Sequence, residues 1–296
     1  MTAFLEYLVH GLSLGAVYAL IALGFVIIFK STEVVNFAHA SLLLAGGYIA
    51  VRAQESVGFW AALLAGVAGA ATLGALLEWA VIRRYRGADH SVLAIVTIGI
   101  DIVLLTELAR RIGPDILTYD DPWGDALVTV GSVTVPQTRV AAFVTAALLI
   151  GLFLAAFRWT SWGVAMRAAA ENRETAALMG IRLGRVSSSA WAVAGALAAV
   201  AALFLSVFPT SGLDRATGEV ALAAFPAAII GGLDSTTGAL VGGLTVGVTE
   251  ALTTGYAAEL DFLGNGFGHI APYVVMVLVL LARPAGLFGT RELSRV

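Results

Sequence analysis

Nine apolar stretches follow one another along this 296-residue chain, separated by short polar links, and they leave few folds open to it. They run approximately 6–29, 36–54, 58–82, 91–109, 139–157, 186–208, 219–233, 237–256 and 269–283. About 20 apolar residues are needed for a helix to cross a bilayer. In lipid each segment must satisfy its own backbone polar groups, so each stretch reads as a helix. Only 12% of the residues are charged, against about 25% in soluble chains. The expected fold class is all-α: one polytopic transmembrane bundle of eight or nine spans, filling a single domain over 1–296. The 219–233 stretch is short and ends in glycine, which predicts a broken or re-entrant helix. The 33 glycines suit close helix contacts, because small residues let backbones approach in lipid. The absence of cysteine excludes a disulfide framework and thiolate metal sites, and no other metal site is expected.

Basic residues orient the bundle, since Lys and Arg accumulate on the cytoplasmic side. With the 158–185 loop placed inside, 12 of the 17 basic residues fall inside: Lys30, Arg83, Arg84, Arg86, Arg158, Arg167, Arg173, Arg182, Arg185, Arg283, Arg291 and Arg295. Arg52, Arg110, Arg111, Arg139 and Arg215 fall outside. An outside N-terminus, a cytoplasmic C-terminus and an odd number of crossings follow. Lys30 comes after the first apolar stretch, so a cleaved leader is not expected and 8–29 reads as a permanent span. The 112–138 loop lies outside. Its β-branched residues around Gly131-Ser132 suggest a small hairpin, and Asp115, Asp120, Asp121 and Asp125 offer a soluble partner an acidic face.

The polar insert 161–182 stands apart from its apolar surroundings. Trp162 to Ala170 is rich in helix-favouring alanine. Asn172 suits an N-cap, with Glu174 in the first turn behind it. Gly180 fits the C′ position, and Ile181 is the apolar residue expected after it. Two short helices therefore form a knob between spans, a shape suited to docking a partner protein.

Charges inside apolar segments are costly and informative. Asp101 sits mid-segment with Thr97 one turn before it, and Glu250 lies between Thr249 and Thr253. Glu78 and Glu107 are nearer segment ends, where Glu107 can pair with Arg111 four residues on. Asp101 and Glu250 are the candidate ion site if the chain is an ion-coupled secondary carrier, although a relay normally wants more linked carboxylates. No ATPase motif is present. In Gly24-Phe-Val-Ile-Ile-Phe29-Lys30-Ser31-Thr32 a phenylalanine stands where a phosphate loop needs glycine. No catalytic signature appears either, so the chain is expected not to be an enzyme.

Particular residues add a family resemblance. Gly163-x-Ala165-x-Arg167-Ala168-x-Ala170-Glu171-Asn172-x-x-x-Ala176-Ala177-x-x-Gly180-Ile181 resembles the cytoplasmic coupling loop of permeases in branched-chain amino-acid ABC importers. Gly11-Leu-Ser-Leu-Gly15-Ala-Val-Tyr18 resembles their first span. Asn36-Phe37-Ala38-His39 with Gly46-Gly47-Tyr48 resembles the second, and Ile230-Gly231-Gly232-Leu233-Asp234 through Gly242-Gly243 a late glycine-rich pair. The family commonly has Gly-Glu after that histidine, whereas this chain has Ala40-Ser41.

The resemblance implies a membrane permease, in the inner or plasma membrane, providing an alternating-access path. Partners would be a second homologous permease, two cytoplasmic ATPase subunits and an extracytoplasmic solute-binding protein, with no nucleic acid. ATP and magnesium would sit on the ATPases and no cofactor on this chain. Arg167, Ala168, Glu171, Asn172, Gly180 and Ile181 would contact the ATPase. Asn36, His39, Asp101 and Glu250 are candidates for the translocation path. Leucine, isoleucine or valine is the expected solute, with urea or short amides as the alternative.

Overall fold

A computed structural model describes residues 2–85, 87–124, 126–130, 133–208, 212–214, 217–264 and 266–290. The helices are α1 (Thr2–Thr32), α2 (His39–Val57), α3 (Phe59–Ala80), α4 (His90–Ile112), α5 (Gln137–Trp159), α6 (Ser161–Glu171), α7 (Arg173–Leu178), α8 (Leu183–Val207), α9 (Thr217–Ala223), α10 (Phe225–Gly231), α11 (Thr236–Gly255) and α12 (Phe267–Ala282). The one described sheet is the hairpin β1 (Leu127–Val130) and β2 (Val133–Pro136), paired antiparallel from Leu127–Pro136 to Val130–Val133. Gly131 and Ser132, the expected turn, lie outside the described residues, as do Arg86, Asp125, Arg215, Arg291 and Arg295. Five helices, α1, α3, α4, α5 and α8, are long and apolar enough to cross a membrane, and the chain is a multi-pass helical membrane protein.

Helix α1 is the central column. Every residue from Ser13 to Ile28 is buried, so the helix is apolar all round and shows no amphipathic stripe. Its closest neighbour is α11, which runs antiparallel along a glycine seam. A Cβ added at Gly15 would lie 2.8 Å from the Leu244 Cα, and one at Gly11 would lie 2.7 Å from the Val248 Cα. Both clashes are with backbone, which cannot swing aside as a side chain would. Helices α3, α4 and α5 lie at the periphery and leave Trp60, Leu64, Ile95, Val103, Phe143 and Leu148 exposed.

Two expected spans are interrupted. The 219–233 stretch divides into α9 and α10 at Ala224, as its length and glycine end suggested. The second span departs from expectation: residues 33–38 are not helical, and α2 begins at His39. The His39 ring sits against Gly24, where an added Cβ would lie 2.5 Å from the imidazole. Gly24 precedes the end of α1 by eight residues, roughly 12 Å along the axis, so α2 starts inside the bundle and not at its surface. Glu33, at φ 57°, makes the turn out of α1.

The hairpin loop is anchored more firmly than a solvated acidic loop would be. Phe59 meets Tyr119 at 5.3 Å and Trp123 at 5.7 Å between centroids, and Trp123 meets Phe204 at 5.7 Å. The Asp121 carboxylate is occupied locally, accepting from the N–H groups of Trp123 at 2.8 Å and Gly124 at 2.9 Å.

Replacing Gly15 with Val should force α1 and α11 apart. Overpacking of this kind costs about 1–3 kcal/mol, seen as a lower thermal unfolding midpoint and poorer monodispersity in detergent. Gly151→Ala, at a glycine with nothing within 4 Å of its added Cβ, should leave both measurements unchanged or slightly improved.

Candidate functional site

The knob forms at one end of the bundle. Thr160 caps α6 by accepting from the Gly163 N–H at 3.1 Å, and Asn172 caps α7 by accepting from the Thr175 N–H at 2.8 Å. The chain then leaves α7 through Gly180 at φ 84°. The Gly180 N–H donates to the Ala177 carbonyl and the Ile181 N–H to the Ala176 carbonyl, both at 3.0 Å. That pair of bonds is a Schellman closure, which requires a residue tolerant of the left-handed region at C′.

Helix α6 turns Gly163, Met166 and Ala169 inward at a spacing of three residues. Other side chains of the knob tie it to neighbouring helices. The Trp162 indole N–H donates to Ser189 Oγ at 2.7 Å on α8. Arg173 donates to the Ser31 carbonyl in the last turn of α1. Arg167 is exposed but committed: its guanidinium donates to the Phe157 carbonyl and lies 5.4 Å from the Phe157 ring centroid, closing the end of α5. Glu171 faces solvent and shares a cleft with Lys30, Arg167 and Asp234. Lys30 donates to the Asp234 carbonyl at 2.7 Å, so the ends of α1 and the α10–α11 link meet beneath the knob.

Sequence reading picked out the charges and missed the apolar tip. Leu178 and Met179 are 87% and 79% exposed at the end of α7. Two large apolar residues just before a C′ glycine, facing away from every neighbouring helix, were the available signal.

The second group of residues surrounds the start of α2. Asn36 and His39 are both completely buried. The Ala38 N–H donates to Asn36 Oδ1 at 3.1 Å, the Phe37 N–H to Thr97 Oγ1 at 3.2 Å, and the Ser41 N–H to Asp101 Oδ1 at 3.2 Å. Asp101 thus caps the intramembrane N-terminus of α2, where the helix dipole favours an anion. Its local partner is Ser41; Thr97, one turn earlier, serves Phe37 instead.

Glu250 sits in a different group. Tyr18 on α1 donates to Glu250 Oε2 at 2.8 Å, and His269 Nδ1 lies 3.5 Å from Oε1. Helix side chains lean toward their own N-termini. On antiparallel α1 and α11 they therefore lean toward each other, which lets residues 232 positions apart in sequence meet. Asp101 and Glu250 share no hydrogen-bond partner among the described residues. Glu107 makes the expected pair with Arg111, at 2.6 Å, and a second with Arg110 at 2.9 Å.

Glu78 is completely buried. Arg83 Nη2 reaches it at 3.1 Å while donating to the Gly184 carbonyl at 2.8 Å and Ser188 Oγ at 2.9 Å. The 3₁₀ turn Ile82–Tyr85 folds Arg83 back toward α3. An i, i+5 spacing is not a helical pairing, so sequence reading did not anticipate this clamp of α3 to the start of α8.

Residues 7–282 match the family described as branched-chain amino acid transport system / permease component. The chain belongs to that permease family. It is 31% identical to the high-affinity branched-chain amino acid transport system permease protein LivH of Salmonella typhimurium, over 99% of this chain and 98% of that one. It is 30% identical to BraD of Pseudomonas aeruginosa, a permease of the same description, with the same coverage. The probable LivH of Methanocaldococcus jannaschii is 31% identical over 94% of this chain and 90% of its own. No solved structure matches the chain.

For this permease, Asp101→Leu should leave the Ser41 N–H without an acceptor inside the bundle. A buried unsatisfied donor costs about 1–3 kcal/mol. Thermal stability and transport should both fall, whereas Asp101→Asn, which keeps an acceptor oxygen, should lose less of each.

Proposed function

We propose that this permease is the membrane subunit of a binding-protein-dependent ABC importer for leucine, isoleucine and valine. The observation that carries the reading is the knob, a capped helix pair tied to the ends of three spans and tipped with exposed Leu178 and Met179. The descriptions of LivH and BraD as branched-chain amino acid permeases support the solute. In this reading the knob docks on cytoplasmic ATPase subunits that carry ATP and magnesium. A second homologous permease and an extracytoplasmic binding protein complete the complex. The ion-coupled alternative is less favoured, because Asp101 caps α2 and Glu250 is bonded to Tyr18. Reconstituted with its partner chains in vesicles, the permease should support ATP-dependent uptake of labelled leucine. Uptake of urea or acetamide without leucine would overturn the solute assignment.

Within this reading, Ala168, Glu171, Asn172, Gly180 and Ile181 shape or border the docking face, and Arg167 holds it on α5. Leu178→Glu should lower coupled uptake and solute-stimulated ATP hydrolysis by about tenfold, as for a central apolar contact. Gly180→Val should act in the same direction by straining the C′ turn. Both variants should still reach the membrane. Glu171→Ala should cost only about 0–1 kcal/mol, being an exposed charge.

The proposed orientation puts the knob and C-terminus in the cytoplasm. Single cysteines placed at Thr2, Ser132 and Ser294 in this cysteine-free chain report on it. An impermeant thiol reagent on intact cells should label the first two and spare the third. Labelling only at Ser294 would invert the topology.

A further inference from the structure

At the hairpin end of the bundle, α1, β2, α5 and α11 surround a cavity of about 320 Å³, within the size range of small-ligand pockets. Its polar lining includes Glu6, His10 and Arg139 together with Tyr7, Thr134 and Thr254, and its apolar lining includes Val9, Val135 and Ala251. Arg139 is the residue the fold does not explain. It is half-buried, yet it makes no ion pair or hydrogen bond with any described residue. Its guanidinium lies instead over the Phe208 ring, 5.8 Å from the centroid, and His10 leans on the same ring at 6.3 Å. It also occupies the first turn of α5, where the helix dipole disfavours a cation. That helix starts without a side-chain cap, its Gln137 N–H being taken by the Ala126 carbonyl at 2.8 Å, and the guanidinium adds its charge to the positive end of the helix dipole. His10 Nδ1 is buried without a partner. Glu6, on the same cavity lining, is an exposed carboxylate with no described partner.

We propose that this cavity binds a free zwitterionic amino acid, with Arg139 taking the α-carboxylate, Glu6 the α-ammonium, and Val9, Val135 and Ala251 the aliphatic side chain. The proposal rests on the reading that the solute is an amino acid and adds where this chain holds it. An unpaired cation in the first turn of a helix selects a carboxylate. A carboxylate and a cation lining one cavity select a molecule carrying both charges. Hydrogen bonds to charged groups contribute about 1.5–3 kcal/mol, so losing one should change affinity about tenfold or more.

The test uses the assembled importer in nanodiscs without its binding protein. Binding of labelled leucine is measured, with leucinamide, which lacks the carboxylate, as competitor. The wild-type complex should prefer leucine over leucinamide by about tenfold. Arg139→Gln should abolish that preference while Arg139→Lys keeps part of it, and Glu6→Gln should weaken leucine without weakening its des-amino analogue. Affinity of the binding protein for the same complexes is measured in parallel. If Arg139→Gln weakens that docking and leaves the leucine preference intact, the carboxylate belongs to the partner protein and the proposal falls. Equal leucine binding by wild type and Arg139→Gln also overturns it, as does a wild-type complex that takes up leucine but does not bind it here. If the complete complex in vesicles, binding protein included, takes up no amino acid at all, the functional reading fails first, and that separate uptake assay distinguishes this outcome from the others.

Discussion

Inside an apolar bundle a helix can stop only where something else meets its backbone groups, and this chain stops helices inside the bundle at several places. Unpaired N–H and C=O groups in hydrocarbon cost several kcal/mol each, so the interruptions dictate where polar residues must stand. At the start of α2 the acceptors are Asn36, Thr97 and Asp101. At the end of α10 the donors come from distant backbone: the Leu287 N–H reaches the Ile230 carbonyl at 2.8 Å and the Phe288 N–H reaches Gly231 at 3.0 Å. The next helix, α11, is capped by Ser235, whose hydroxyl accepts from the Gly238 N–H at 3.0 Å. The segment after α12 is therefore part of the bundle's closure, since it completes hydrogen bonding that α10 cannot complete alone.

The same requirement reassigns residues that look functional in a sequence. A lone carboxylate in a membrane segment suggests an ion path, but Asp101 bonds the exposed N–H of a neighbouring half-span. Histidine in a span suggests titration, but His39 is wedged against Gly24 and Phe25, with its ring 4.6 Å from the phenylalanine centroid. Gly24 has a specific purpose there, because any side chain would collide with the imidazole. Asp101 and His39 both contribute to letting α2 begin at depth.

The helices themselves were legible because lipid imposes one simple pattern, a long apolar run. The knob was legible for a different reason. Asn172, Gly180 and Ile181 act through local backbone rules that depend only on near neighbours, so the α7 cap and the closing turn could be read directly. Bonds between distant segments were not legible. Nothing in the order of residues links Tyr18 to Glu250, Arg173 to Ser31, or Phe288 to Gly231, since each depends on which helices become neighbours. Peripheral packing was hidden from hydropathy for a related reason: α3 is apolar on both faces, and only size separates its buried Ala62, Gly66, Ala70 and Gly74 from its exposed Trp60, Leu64, Leu76 and Trp79.

Attachment of the knob determines what a push on it could move. Trp162 fixes it to α8, Arg167 to α5 and Arg173 to α1, each through a bond to a backbone carbonyl or a side-chain hydroxyl at the helix end. Helix α8 is held in turn to α3 by Arg83, Glu78 and Ser188. Glycine seams bring α1 and α11 too close for either to slide without steric resistance. A force applied at Leu178 and Met179 would therefore move α1, α3, α5, α8 and α11 together. Helix α4 lies outside that set and packs on α2, held there by Thr97 and Asp101 at the half-span's N-terminus. At the α2–α4 contact, the Thr97 and Asp101 side-chain bonds to Phe37, Ser41 and the Val35 carbonyl stand in place of a glycine seam.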